Sequence, residues 1–354
     1  MNMPQSAKYI LGVAAAAALL AGCSSGSTSS LAPASAPIAG GASKLMHNGH
    51  VLSTSVLDPK VQVRKNNGVH LHRLSGKIDA RTKTFWISDS GENDVSVFSY
   101  PSGTAMGTLA PPPEGFSEPQ GMCSDKDGNV FIANTENSKI DEYAANGTYM
   151  QSLSDPGEYP AGCAVDPKSG TLAVSNIIST SDNAGGISLY ANASGTPQTL
   201  TDPNMFEVFF ISYLGKTGNL YYSGFDNSFY AAISSYIGGN FALLPLSGAT
   251  IGFPGTVSNA HKTGSLAIGD QDTFSAPTFY QVSATGNVTG STVLTCASGD
   301  CDVVQATVKG NKIVAPDAGS ADATVNPYPA GGAPITTVSG FYEPIGSAVS
   351  SVKN

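Results

Sequence analysis

Near the C-terminus the chain reads EPIGSAVS, Glu343 to Ser350, and four residues follow. Two earlier stretches resemble it, EPQGMCSD from Glu118 and YPAGCAVD from Tyr159. A repeat that starts again so close to the end is a clue to the fold. Six short apolar runs recur along the chain: TFWISD, NVFIAN, TLAVSN, NLYYSG, SLAIGD and KIVAPD. Each is rich in β-branched or aromatic residues and ends in Asp, Asn or Gly, the pattern of a strand running into a turn. Their last residues, Asp89, Asn134, Asn176, Gly224, Asp270 and Asp317, are spaced by 45, 42, 48, 46 and 47. A period in this range predicts radially stacked four-stranded blades.

The remainder of each unit agrees. After a polar turn comes a strand that tends to end in an aromatic, as in DVSVFSY, KIDEYAA and GISLYAN. A Gly-containing turn and a short last strand follow, as in NGTYMQSLS. The first strand of a unit opens near Pro-x-Gly, at Pro119 and Pro160; the fourth unit lacks the motif, the fifth keeps FPGTV, and the sixth starts near CDVVQATV. The first unit has no such strand ahead of Thr84. EPIGSAVS supplies it from the other end, which closes the ring and removes the two edges that an open ring would expose. The predicted fold is all-β, a six-bladed propeller whose first blade is completed by the C-terminal strand.

At the N-terminus, Lys8 precedes an apolar run from Tyr9 to Leu20, too short to span a membrane and built like an export signal. It ends in Leu20-Ala21-Gly22-Cys23. Those four residues resemble the bacterial lipobox, which implies cleavage after residue 22 and lipid on Cys23; a plain signal peptide containing a cysteine is the alternative. Ser24 in place of Asp implies the outer membrane over the inner one. Residues 23–45 are Ser, Ala, Gly and Pro-rich, a composition that cannot offset its ordering entropy and predicts a flexible tether. Residues 46–354 form the propeller, with 46–72 as a lead-in segment expected to pack on it. Charged residues are only 12% and the formal charge is −9, which argues against nucleic acid or anionic lipid headgroups as partners.

The chain has five cysteines. With Cys23 assigned to lipid, four remain, an even number that fits an oxidising compartment. CASGDC places Cys296 and Cys301 across a tight turn, and Cys123 and Cys163 occupy corresponding places in consecutive units. Two disulfides are expected, with four buried thiols as the alternative.

The stretch PQGMCSDKDGNVFIANTENSKIDEYAANG, from Pro119 to Gly147, carries Pro-x-Gly, Asp-x-x-Gly and Asn-x-x-Asn in the order of an NHL repeat. From about Arg73 to Val352 the chain resembles the six-bladed propellers of the NHL-repeat, gluconolactonase and virginiamycin-B-lyase type. In the gluconolactonase group a divalent metal is held partly by Asn or Asp at the middle of the Pro-x-Gly-like element. Here those positions are Gln120, Ala161 and Ile345, none a carboxylate, so no metal or other cofactor is expected there. His47, His50, His70 and His72 cluster in or beside the lead-in, without a carboxylate or cysteine at a metal-site spacing. Their alternatives are a transition-metal site and an ordinary polar surface. No nucleophile-elbow, Walker or Rossmann signature occurs.

The ends of the second strands form the remaining candidate set. Asp89, Asn134, Asn176, Asp226, Asp270, Asp272 and Asp317 should share one rim with the aromatics of the blade entries, Phe116, Tyr159, Phe253, Phe341 and Tyr342. Such a rim could grip a sugar or a peptide by stacking and hydrogen bonding. The other reading is structural: short Asp and Asn side chains cap turns, and entry aromatics wedge between blades. The expected protein is a monomeric, lipid-anchored envelope module that binds a protein or an envelope glycan at the channel mouth. The rival is a divergent lactonase or lyase with a metal site rebuilt from Asp226, Asp270 and Asp317.

Overall fold

The computed structural model describes residues 46–47, 50–51, 54–61, 63, 71–74, 76–79, 81–260 and 262–351. The signal segment 1–22, Cys23, the tether to residue 45, His70 and His261 lie outside them. Six four-stranded antiparallel sheets follow one another around a ring. Blade 1 consists, from the axis outwards, of Pro344–Ser350, Thr84–Asp89, Asp94–Ser99 and Ala105–Thr108. The C-terminal strand thus forms its inner edge, with Pro344 opposite Asp89 and Ser350 opposite Thr84.

The other blades are each continuous in sequence. Blade 2 runs from Pro119–Ser124 through Val130–Asn134 and Lys139–Tyr143 to Tyr149–Ser154. Blade 3 comprises Glu158–Val165, Leu172–Ser179, Gly186–Tyr190 and Gln198–Leu200. Met205–Tyr213, Leu220–Asp226, Ala231–Ile237 and Asn240–Leu243 make blade 4. Blade 5 is Pro254–Ala260, Ser265–Asp270, Thr278–Val282 and Val288–Val293. Blade 6 has a short inner strand, Thr307–Lys309, before Lys312–Asp317, Asp322–Pro327 and Thr336–Ser339.

The repeated residues have physical reasons. Inner strands of neighbouring blades meet at the glycine of Pro-x-Gly. A Cβ on Gly346 would lie 2.4 Å from the Gln120 carbonyl oxygen, and one on Gly121 would lie 2.5 Å from that of Ala161. Only glycine lets these backbones approach so closely. Just beyond this contact, buried hydroxyls bond each blade to the next: Ser88 Oγ to the Gln120 carbonyl (2.6 Å), Ser175 Oγ to Phe209 (2.6 Å), Ser223 Oγ to Gly255 (2.7 Å). Aromatics that end third strands reach back to the preceding blade, Tyr143 OH to the Ala110 carbonyl and Tyr190 OH to that of Ser154. Tyr100 OH bonds the Lys309 carbonyl of blade 6 in the same way, across the closure.

The apolar core is divided among the blade interfaces. Trp86, Met122, Ile132 and Tyr143 fill the space between blades 1 and 2, and Phe131, Leu172, Val174 and Tyr190 that between 2 and 3. A comparable cluster of Phe85, Ile87, Val314, Val325 and Val349 packs blade 6 on blade 1, so the ring closes through apolar contact as well as strand pairing. Cys123–Cys163 links the inner strands of blades 2 and 3, and Cys296–Cys301 closes the loop before blade 6.

Candidate functional site at the channel mouth

Strand pairing brings the second-strand ends together with the blade entries. Asp89 pairs with Pro344, Asn134 with Pro119, Asn176 with Pro160, Asp226 with Met205, Asp270 with Pro254, and Asp317 with Val303. All six therefore sit at the end of the ring where inner strands begin. Their side chains are engaged with the protein. The Asp89 carboxylate accepts the N–H groups of Tyr342 (2.7 Å) and Glu343 (2.8 Å), and those of Gly91 and Glu92. Asp270 accepts from Gly252, Phe253 and Asp272; Asp317 from Asp302 and Ser320; Asp226 from Ser228 and Tyr230. Asn134 accepts the Ser117 N–H and donates to Gly115 and Asp141, and Asn176 donates to Ser188. The four Asp residues and Asn134 are turn and entry caps, whereas Asn176 lies within Leu172–Ser179 and bonds across to the neighbouring strand.

The entry aromatics divide into two groups. Phe116 stacks on Tyr143, and Phe341 packs edge-on against Phe98; both are buried between blades. Tyr159 and Phe253 instead join Phe206, Phe209, Phe210, Phe225 and Phe229 in an apolar basket at the axis. The basket contains part of the lead-in. Val56 is fully buried among Ala161, Phe209, Val304 and Ile345, with Leu57 half-buried beside it.

Residues 54–60 thus form a strap over the mouth, and two buried amides hold it. Gln120 Nε2 donates to the Thr54 carbonyl (2.8 Å). Gln271 Nε2 donates to the Val56 carbonyl (2.9 Å), and its Oε1 accepts the Asp58 N–H (3.3 Å). Lys60 Nζ pairs with Asp272 at 2.8 Å. Asp58 is buried, which pushes its carboxyl up. Asp302 of the blade 6 entry is pushed well up, first by burial and then by the charges of Asp317 and Asp58. Two of the three middle positions of the Pro-x-Gly element, Ala161 and Ile345, offer no side-chain oxygen and pack on Val56, while Gln120 holds the strap. These residues do not fit a metal of the gluconolactonase type. Among the described residues no group of three His, Cys, Asp or Glu is arranged to hold a metal ion. His47 and His50 are partners on a two-stranded pairing in the lead-in, and His72 is exposed.

Beside the strap, between the entries of blades 1 and 2, lies an open cleft of 330 Å³. It is lined by Glu118, Glu343, Gln120, Asn93, Ser55 and Ser90, among others. Partial burial raises the Glu118 carboxyl, and the nearby charges of Glu136 and Glu343 raise it further. Burial likewise raises Glu343, aided by Asp89 and opposed by the hydrogen bond from Ser90. Glu118 has φ of 49°, a left-handed conformation unusual for a residue with a Cβ, and its N–H donates to Asn93 Oδ1 at 2.7 Å. Gln120 Oε1 is buried and has no donor among the described residues. The cleft therefore presents two carboxylates beside the Ser55 and Ser90 hydroxyls and the Asn93 amide. Sequence reasoning missed its two glutamates, although both stand directly before proline in the repeated Glu-Pro-x-Gly, at Glu118-Pro119 and Glu343-Pro344.

The fold and mouth define a six-bladed propeller with residues 54–60 seated over the mouth. The SMP-30/gluconolactonase/LRE-like region family matches residues 50–177, which takes in the strap and runs into blade 3. Among solved structures the chain is similar to one from a nidogen/laminin complex, at 14% identity, with 77% of this chain and 100% of that chain covered and a TM-score of 0.61. That likeness shows the fold. It is also similar to a streptogramin B lyase structure, at 14% identity over 83% of this chain and 86% of that chain, with a TM-score of 0.49. No curated protein matches significantly.

Proposed function

We propose that the protein is a lipid-anchored binding module of the bacterial envelope that takes a hydroxyl-rich glycan in the cleft between blades 1 and 2. The observation that carries this reading is the pair of carboxylates, Glu118 and Glu343, that line one 330 Å³ space. Acceptors held at fixed positions select a ligand that brings donors, and sugar hydroxyls do so. The volume lies within the usual range for small-ligand sites, about 300–1,000 Å³. Cys23 would fix the module to the membrane, with residues 23–45 as the spacer.

Calorimetric titration with envelope glycan fragments tests the cleft, with Glu118→Gln and Glu343→Gln as controls. The parent should bind at least one fragment, and each variant should weaken it by about tenfold or more, the loss of a charge-assisted hydrogen bond. Equal binding by parent and both variants would move the ligand elsewhere. Cys23→Ser should abolish lipid labelling and release the protein from membranes. A second reading, a divergent lactonase or lyase, draws on the family match over residues 50–177; stoichiometric metal in purified protein with turnover of a lactone would favour it.

A further inference from the structure

The strap does not resemble a loop that merely crosses a surface. Among the described residues it pairs with no strand, yet its backbone is gripped at a carbonyl and an N–H by the buried Gln271 side chain, donating to Val56 and accepting from Asp58. Gln120 makes a third contact, to the Thr54 carbonyl. Backbone bonds of this kind hold a chain whatever its side chains. Specificity comes from the side chains: Val56 is seated in the aromatic basket, Leu57 lies against its edge, Asp58 is enclosed, and Lys60 meets Asp272. Backbone clamps combined with pockets for chosen side chains are how grooves recognise extended peptides.

We propose that the channel mouth is a peptide-binding site and that residues 54–60 are its occupant in cis. Its ligand in trans is a peptide with two adjacent aliphatic residues and a basic one three positions on, turning between them as Asp58 to Val61 do here. The site adjoins the glycan cleft and shares Ser55, Gln120 and Ile345 with it, but a peptide seated there needs no glycan beside it. A segment joined to the same chain acts at an effective concentration of about millimolar. An outside peptide must exceed that to compete, so the unaltered protein should look inert.

The test opens the mouth from the strap side and leaves the propeller untouched. The probe is a fluorescent peptide of sequence TSVLDPKV, residues 54–61. The double variant Val56→Asp, Leu57→Asp should bind it saturably, with an affinity at least about tenfold above that of the parent, which keeps its own strap. Adding Gln271→Ala to the opened variant should weaken the peptide again, and a probe with Ser at the Val and Leu positions should not bind. An opened variant that retains the parent's near-ultraviolet circular dichroism but ignores the probe overturns the proposal. Should the double variant fail to fold, the parent is treated with trypsin, which can cut after the exposed Lys60. Millimolar unlabelled peptide should then speed that cut, and an unchanged rate overturns the proposal.

Discussion

At the scale of single residues, the mouth shows how one chemical type serves different purposes. Asp89 and Asp226 occupy corresponding positions of different blades, but their surroundings differ. Asp89 is buried and its acceptors join two elements far apart in sequence, the second strand of blade 1 and the Tyr342–Glu343 entry. Asp226 is half-exposed and caps only its own turn. Asp226→Ala should cost about 1 kcal/mol, the usual loss of a side-chain cap. Asp89→Ala should cost about 2–3 kcal/mol, because several buried N–H groups lose their acceptor together. Urea unfolding of the two variants decides it, and equal losses would mean that the cross-element bonds of Asp89 add nothing. The sequence made the Asp and Asn positions visible through their period, and both roles for them were open. It could not choose between the roles, because capping depends on N–H groups brought up from elsewhere, such as that of Tyr342. The cleft glutamates were hidden for a different reason: in a repeated Glu-Pro-x-Gly the proline and glycine already account for the pattern.

At the scale of elements, the Pro-x-Gly glycine and the returning C-terminal strand carry the ring. A methyl group on Gly121 has no room between Ala161 and Gly162 of the next blade. Gly121→Ala should therefore destabilise by about 1–3 kcal/mol through overpacking, although alanine elsewhere in a strand is harmless. An unchanged melting temperature would show that the inner strands can part freely. Deleting residues 341–354 removes the inner strand of blade 1, opens the Thr84–Asp89 edge and takes Phe341 and Val349 out of the cluster between blades 6 and 1. The truncated chain should aggregate or melt far below the parent; a stable monomer by light scattering would refute closure by the C-terminal strand. These elements were legible because their cause is local and recurs, at Gly121, Gly162 and Gly346. The strap was not. Residues 54–60 occur once, carry no periodicity, and find their partners at Gln120 and Gln271, whose amides have no sequence signature for gripping a backbone.

At the scale of the whole molecule, buried carboxyls set the response to pH. Burial pushes Asp141 to about 6, and Glu207 to about 7. Glu158 and Asp322 also rise to about 7, mainly by burial, with repulsion from Asp155 and Asp317 respectively. In the unfolded chain such groups ionise near their ordinary values, about 4. Between these limits the native state holds more protons than the unfolded state, so stability falls as pH rises. The stabilising contribution is complete below about pH 4 and disappears above the folded values, near pH 7. The exposed Asp79 acts the other way, lowered by its hydrogen bonds from Arg81, but water screens that pair. The formal charge of −9 reinforces the main trend, since protonation reduces self-repulsion in the compact state. Moving from pH 8 to pH 5 at constant ionic strength should therefore raise the melting temperature, where many proteins with paired carboxylates would lose stability. Glu207→Gln removes one titrating group while keeping its shape, and should flatten the slope in that window. A melting temperature that falls on acidification, or a slope that the substitution leaves unchanged, would show that these carboxyls titrate in the folded protein much as they do in water.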